Sequence, residues 1–195
     1  MSRPAAPHPA KLVIGFFMPA KDPGQQVTRA LIERFGPVDL VSAWFPFDYT
    51  AYYEQEMGRP LFRRMLAFER LIEQDQLAAI KQATNALENQ WVRDGRRQVN
   101  IDPGYLLRER FVLATGKNYT HRIYIGQGIY ADLTLIYTHG RFATLPWTYP
   151  DYRAANMQVF LMRVRNRYVT VSKHPHWQVQ RQGLHPGPGP GDKDP

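Results

Sequence analysis

The apolar run at residues 12–17, rich in β-branched and aromatic side chains, predicts a buried first strand over 11–18. In the next segment Val27, Ala30, Leu31 and Phe35 recur at helical spacing. Gly36-Pro37 follows as a stop, so a helix is expected over 23–35. Residues 39–45 read as a second strand ended by Pro46, and 48–58 as an aromatic, irregular stretch. The pattern of 63–72 fits two periods. Leu66, Phe68 and Ile72 alternate, whereas Phe62, Met65, Phe68 and Ile72 also fit a helix. A strand is taken here because it completes a known order. The clearest helix is 75–93, with Leu77, Ile80, Thr84, Leu87 and Trp91 on one stripe and Gly95 beyond its end.

With a further strand from 97–101 or 111–115, the order becomes βαββαβ. That is an α+β class with a ferredoxin-like antiparallel sandwich, both helices on one face of the sheet. Two hairpins extend it. Strands 122–125 and 129–137 flank Gly126-Gln127-Gly128, and 141–145 returns after His139-Gly140. A three-residue loop in the first hairpin sets Ile125 opposite Ile129, Tyr124 opposite Tyr130 and Arg122 opposite Asp132. The last helix, 153–169, carries a stripe of Met157, Phe160, Leu161, Val164 and Tyr168, with Arg163, Arg165 and Arg167 on its other faces. The expected organisation is a disordered leader over 1–10, one α+β domain over 11–172 and a disordered Pro/Gly-rich tail over 173–195.

Composition narrows the chemistry. The 195 residues suit a single domain, and the absence of cysteine excludes thiol catalysis, thiolate zinc sites and iron–sulfur clusters. The net charge of +8 favours anionic partners; the two ends carry a surplus of three, leaving five in the body. No apolar run approaches the roughly 20 residues of a membrane helix. Pro19 and Lys21 stand where a signal-peptide cleavage site would be, so a cytoplasmic protein is expected, without a membrane partner.

No P-loop, His-Glu-x-x-His or Gly-x-Ser-x-Gly motif occurs. Gly126-x-Gly128 lies between strands and reads as a turn. His8, His174, His176 and His185 belong to the ends, leaving His121 and His139 in the body, too few for a three-histidine zinc site; no metal is expected. The dense stretch is 100–153, where polar residues interrupt apolar strands. Arg122 and Asp132 form either an ion pair on a solvated sheet face or an anion site in which Asp132 orients the guanidinium. Lys117 and His121 precede the same strand. Asn100 and Asp102 share one face, and Asp102 before Pro103-Gly104 is most simply a turn former, alternatively an acid/base or Mg²⁺ ligand. Trp147, Tyr149 and Tyr152 precede the last helix, either as a stiff cap on the sheet with Asp151 near the helix start, or as a stacking wall for a base or sugar.

Several of these motifs occur in the order of one family. Pro46-Phe47-Asp48-Tyr49-Thr50, the run from Asn100 through Asp102 to Leu106, His121-Arg122-Ile123-Tyr124, Gly128-Ile129-Tyr130-Ala131 and the run from Leu145 through Trp147 to Arg153 resemble an uncharacterised prokaryotic family. It is known as domain of unknown function 4416, and the likeness spans about 11–167. Asp132 stands where that pattern has Glu, and Gly116 where it has a hydroxyl residue. The resemblance implies one compact cytoplasmic domain and assigns no activity, substrate or residue role.

The leading expectation is a protein that binds a phosphate-bearing small ligand such as a nucleotide. Lys117 and Arg122 hold the anion, Asp132 orients Arg122, Asn100 lines the site, and Trp147 and Tyr149 stack. If the ligand is also processed, His121 or Asp102 is the acid/base. Two rivals use other surfaces: an RNA-binding module on a helix-free sheet face and the basic last helix, or an interaction module whose aromatic loops dock a protein.

Overall fold

The structure is a computed structural model, and it describes residues 3–172. It is an α+β fold whose strands are β1 (Ala10–Met18), β2 (Val38–Val41), β3 (Phe45–Pro46), β4 (Phe62–Ile72), β5 (Val92–Arg93), β6 (Arg96–Arg97), β7 (Asn100–Leu106), β8 (Arg110–Thr115), β9 (Arg122–Gly126), β10 (Ile129–Thr138) and β11 (Arg141–Thr144). The helices are α1 (Gly24–Phe35), α2 (Glu54–Met57), α3 (Leu77–Glu88), α4 (Pro150–Arg153) and α5 (Ala155–Val171). Nine strands form one sheet in the order β11-β10-β8-β7-β1-β4-β2, with β3 also on β4 and β9 also on β10. Every pairing is antiparallel.

All nine residues of β1 are buried, so both faces of this central strand are covered. Successive side chains alternate between the faces. Phe16 meets Trp44 edge-on, and Phe68 meets Phe35 of α1 in the same way, which sets α1 on that face. On the other face Tyr152 lies over Gly15 and tilts against Phe111, and Tyr168 of α5 donates its hydroxyl to the carbonyl of Pro9. The expected stripe Met157, Phe160, Leu161, Val164 and Tyr168 is the buried side of α5. A helix-free sheet face, as the RNA-binding alternative requires, is therefore absent over the central strand. Two of the helix's three arginines are also engaged, Arg165 with the Arg108 carbonyl and Arg167 with Asp39.

Several expected boundaries shift for identifiable reasons. The strand expected over 39–45 is cut in two, because Ser42 turns its hydroxyl to accept the N–H of Met65 and interrupts the ladder. Residues 63–72 are a strand. The helix expected over 75–93 is α-helical only through Leu77–Glu88, with 3₁₀ turns at Gln74–Gln76 and Asn89–Trp91. Asp94 and Gly95 both have positive φ, which makes a tight hairpin of β5 and β6 where a helix end was expected. Both candidate segments around 97–101 and 111–115 contribute strands. The last helix is broken by extended backbone at Ala154, and Asp151 makes no side-chain cap. In the β9–β10 hairpin Arg122 faces Asp132 and Tyr124 faces Tyr130 as the sequence suggests. Ile129, however, pairs with Gly126 through a bulge, not with Ile125. Residues 3–8 are exposed without regular structure, Pro9 is buried, and the tail from 173 lies outside the described residues. Among those described, no helix is long and apolar enough to cross a membrane.

Candidate functional site

The sheet opens between β7 and β8. These strands pair only from Gly104 to Leu106 against Phe111 to Leu113. The approach is close: a Cβ on Gly104 would lie 2.4 Å from the carbonyl oxygen of Val112. Toward the start of β7 the strands separate and α3 fills the gap. Glu88 accepts the N–H of Ile101 at 2.7 Å, and Lys81 donates to the Ile101 carbonyl at 2.7 Å. Backbone groups alternate edges along a strand, so Pro103 turns its missing donor to this same unpaired edge, where it costs no ladder bond. The turn expected at Asp102-Pro103-Gly104 is thus a strand. Above the opening lies a cavity of about 630 Å³, within the usual range for small-molecule sites.

Register decides which strand residues share the cavity side. Arg63, Phe17 and Asn100 form one cross-strand row, and Met65, Gly15 and Asp102 the next. Gly104, Leu113, Asp132 and Arg122 continue the same face across β8, β10 and β9. At the floor Arg63, only 4% exposed, donates to Asp151 and, at 2.9 Å, to Asp102. Its guanidinium sits 4.6 Å from the ring centre of Phe47, 5.2 Å from Phe17 and 5.4 Å from Tyr152. Burial works against its charge, but the two carboxylates outweigh it and hold the guanidinium above its ordinary pKa. Burial raises the Asp151 carboxyl, with Arg63 opposing, and pushes the Tyr53 and Tyr152 phenols up, so both rings are neutral. Arg97 grips Glu56 at 2.6 and 2.7 Å, reaches Glu88, and donates to the Asn100 side-chain carbonyl at 3.1 Å.

The far wall comes from β9, β10 and the segment before α4. Asp132 is 1% exposed and accepts from Arg122 Nε at 2.9 Å. Arg122 also donates to the Lys117 carbonyl and to the Tyr149 hydroxyl. The pair is therefore buried, not set on a solvated sheet face. His121 Nε2 lies 3.2 Å from the same Asp132 oxygen. The imidazole stacks on Trp147 at 4.9 Å and 15°, with Tyr119 behind it at 6.2 Å, while Trp147 donates to the Leu133 carbonyl. Lys117 rests its ammonium 4.0 Å from the ring centre of Tyr52, on the aromatic loop that forms the opposite rim. That loop is held by its own small core, in which Phe47 stacks on Phe17 beside Met57 and Leu61.

All eight residues singled out in the sequence, Asn100, Asp102, Lys117, His121, Arg122, Asp132, Trp147 and Tyr149, line this one cavity. The hairpin's two tyrosines do not: Tyr124 and Tyr130 pack on each other outside it. Sequence reasoning missed Arg63, Lys81, Glu88, Arg97 and Asp151. The row Lys81, Asn85, Glu88 beside the apolar stripe of α3 was the available signal, since i, i+4 and i+7 share a helix face. Asp151 stands in the first turn of α4, near a helix start as expected, and its carboxylate also pairs with Arg63. Among the described residues no cluster of three or more His, Asp or Glu side chains is arranged to hold a metal ion.

Comparison with known proteins matches one family model, described as a domain of unknown function (DUF4416), over residues 8–168. No curated protein and no solved structure matches the chain. The matched span takes in every strand of the large sheet and every wall of the cavity, and the chain belongs to the domain of unknown function 4416 family.

Proposed function

We propose that the cavity binds a phosphate-bearing small ligand such as a nucleotide. One observation carries this reading. Among the described residues, Lys117 is the one cation of the cavity wall without a carboxylate partner, whereas Arg63, Lys81, Arg97, His121 and Arg122 each have one. The wall thus holds an unpaired positive charge at its rim, beside aromatic surface on Tyr149 and the outer face of Trp147. Arg122 has five N–H groups and spends three of them on Asp132, Lys117 and Tyr149, which leaves one on each terminal nitrogen for an anion. In this reading Lys117 makes the main phosphate contact, Arg122 assists, and Asp132 orients Arg122. Asn100 and Asp102 bound the floor, and Trp147 and Tyr149 stack on the base.

The setting we propose is the cytoplasm, where nucleotides and phosphate esters are plentiful. We also read β7-β1-β4-β2, connected in the order β1-α1-β2-β4-α3-β7, as a ferredoxin-like unit extended by β8, β10, β11 and β9. Its support is that a split βαβ arrangement requires this antiparallel order. The test is a thermal-shift series on the full chain with AMP, ATP and inorganic phosphate. A ligand at a hundred times its Kd adds about 2.7 kcal/mol, or roughly 5–11 °C for a chain of this size. A shift in wild type that needs about tenfold more ligand in Lys117→Ala is expected. No shift with any of the three, or an equal one in Lys117→Ala, removes the proposal.

A further inference from the structure

We infer that the cavity also hydrolyses its phosphate ligand, with His121 as the general base and Asp132 as its positioning residue; this deepens the binding reading and rests on it. Asp132 has its charge balanced by Arg122 and accepts from His121 Nε2, so the proton of the neutral imidazole is held on Nε2. Nδ1 is then the basic nitrogen, and it has no protein partner among the described residues. The ring is held by aromatic neighbours: Trp147, itself pinned to Leu133, stacks on it at 4.9 Å, and Tyr119 lies near-parallel at 6.2 Å. Arg122 ties the Lys117 backbone to the same Asp132. Phosphate held by Lys117 is therefore presented from the same short segment as the base.

A buried carboxylate, an oriented imidazole and a ring nitrogen without a protein partner, on a residue that lines the cavity, make a proton-transfer device. In the step, a water oxygen forms its bond to phosphorus while His121 Nδ1 takes a proton from that water. The bond from phosphorus to the leaving oxygen breaks, and the imidazolium returns the proton to that oxygen. One water is consumed, orthophosphate and an alcohol or a shorter phosphate are released, and His121 ends neutral. Charged and titratable groups around the imidazole are Asp132 on β10, Arg122 on β9, Lys117 and Tyr119 on the segment before it, and Tyr149 before α4.

The experiment measures phosphate release and binding in parallel on the full chain, with AMP, ATP and p-nitrophenyl phosphate, with and without Mg²⁺. Wild type is expected to turn over at least one probe. His121→Gln, which keeps a polar side chain at this largely buried position, should lose about 10²–10⁴-fold in kcat with binding within threefold. Asp132→Asn should lower kcat with KM little changed, while Asp132→Glu should restore most of the rate. Thermal melts of each variant separate lost folding from lost chemistry. If a probe binds wild type but no phosphate is released, this inference fails and the binding reading stands. If no probe binds, both fail. A His121→Gln rate within twofold of wild type also overturns it.

Discussion

Replacing Arg63 by Met tests how the floor of the cavity is held. The substitution keeps an unbranched apolar stem among Phe17, Phe47 and Tyr152 and removes only the charge and its donors. Asp102 would lose a 2.9 Å bond but is partly solvated, and it keeps Lys81 at 3.8 Å. Asp151 is the group left without compensation: it is 6% accessible, and Arg63 is its one ion-pair partner among the described residues. Leaving such a carboxylate unpaired costs about 3–5 kcal/mol. For a chain of this length that is a fall in Tm of roughly 6–20 °C. Urea unfolding of wild type, Arg63→Met, Asp151→Asn and the double variant gives the coupling directly. The double variant removes the buried charge along with its partner, so it should recover at least 2 kcal/mol relative to the sum of the two singles. The Arg63→Met penalty should also shrink on acidification, because the unpaired carboxyl is neutralised by protonation. A penalty under about 1 kcal/mol, typical of a surface pair, or strict additivity in the cycle, would refute the account of Arg63 as the clamp of the floor.

Four further outcomes rest on the same contacts. Asp39 carries the fully buried Lys11 at 2.6 Å, and burial already lowers that lysine's pKa, so Asp39→Ala should cost about 3–5 kcal/mol in denaturant unfolding. Arg167→Ala, at the half-exposed end of the same network, should cost about 1 kcal/mol or less. Gly104→Ala drives a methyl into the Val112 carbonyl where β7 and β8 join, and a loss of about 1–3 kcal/mol is expected from overpacking; an unchanged midpoint would show that the strands can part there. Burial raises Asp151 and Glu88 above ordinary carboxylate values, so each contributes stability below about pH 4 that is lost as pH rises through its raised folded value. The stability of wild type relative to Asp151→Asn should therefore improve as pH is lowered from 7 toward 4, and the opposite slope would contradict the burial.

What the sequence made legible was whatever one period or one pairing could carry. The stripe of α5 and the facing of Arg122 with Asp132 needed only local spacing. The cavity could be anticipated as a gathering of polar residues within 100–153, since charged side chains inside apolar strands must find partners. The other half of the wall was hidden by distance in sequence. Arg63 sits 88 residues from Asp151, and its direction could not be assigned while the pattern at 63–72 fitted both helix and strand. Lys81 and Glu88 flank the apolar stripe of an amphipathic helix, positions that ordinarily face solvent. They are buried because β7 leaves its edge unpaired, a consequence of how β7 and β8 diverge that no local pattern encodes. Asp102 misread as a turn former has the same origin: Asp-Pro-Gly signals a turn unless a strand edge lacks a neighbour to reward its donors.

An open sheet with a hole in its side needs something to keep the hole from closing, and the three buried or half-buried arginines supply it. Arg63 joins β4 to β7 and to α4 through Asp102 and Asp151. Arg97 joins α2, α3 and β7 through Glu56, Glu88 and Asn100. Arg122 joins β9 to β10, to the segment at Lys117 and to Tyr149. Arg63 and Arg97 span elements that no backbone ladder connects, and Arg122 ties a hairpin to the segments at Lys117 and Tyr149, which a lysine's single ammonium could not do with the same geometry. This divides the labour within one charged wall. The guanidiniums are mainly engaged in holding the cavity open and contribute chiefly to stability, with two N–H groups of Arg122 left over. Lys117 and His121 lie at its rim and each keep an unspent polar atom. Any ligand chemistry therefore has to run through the two groups whose removal would cost the fold least.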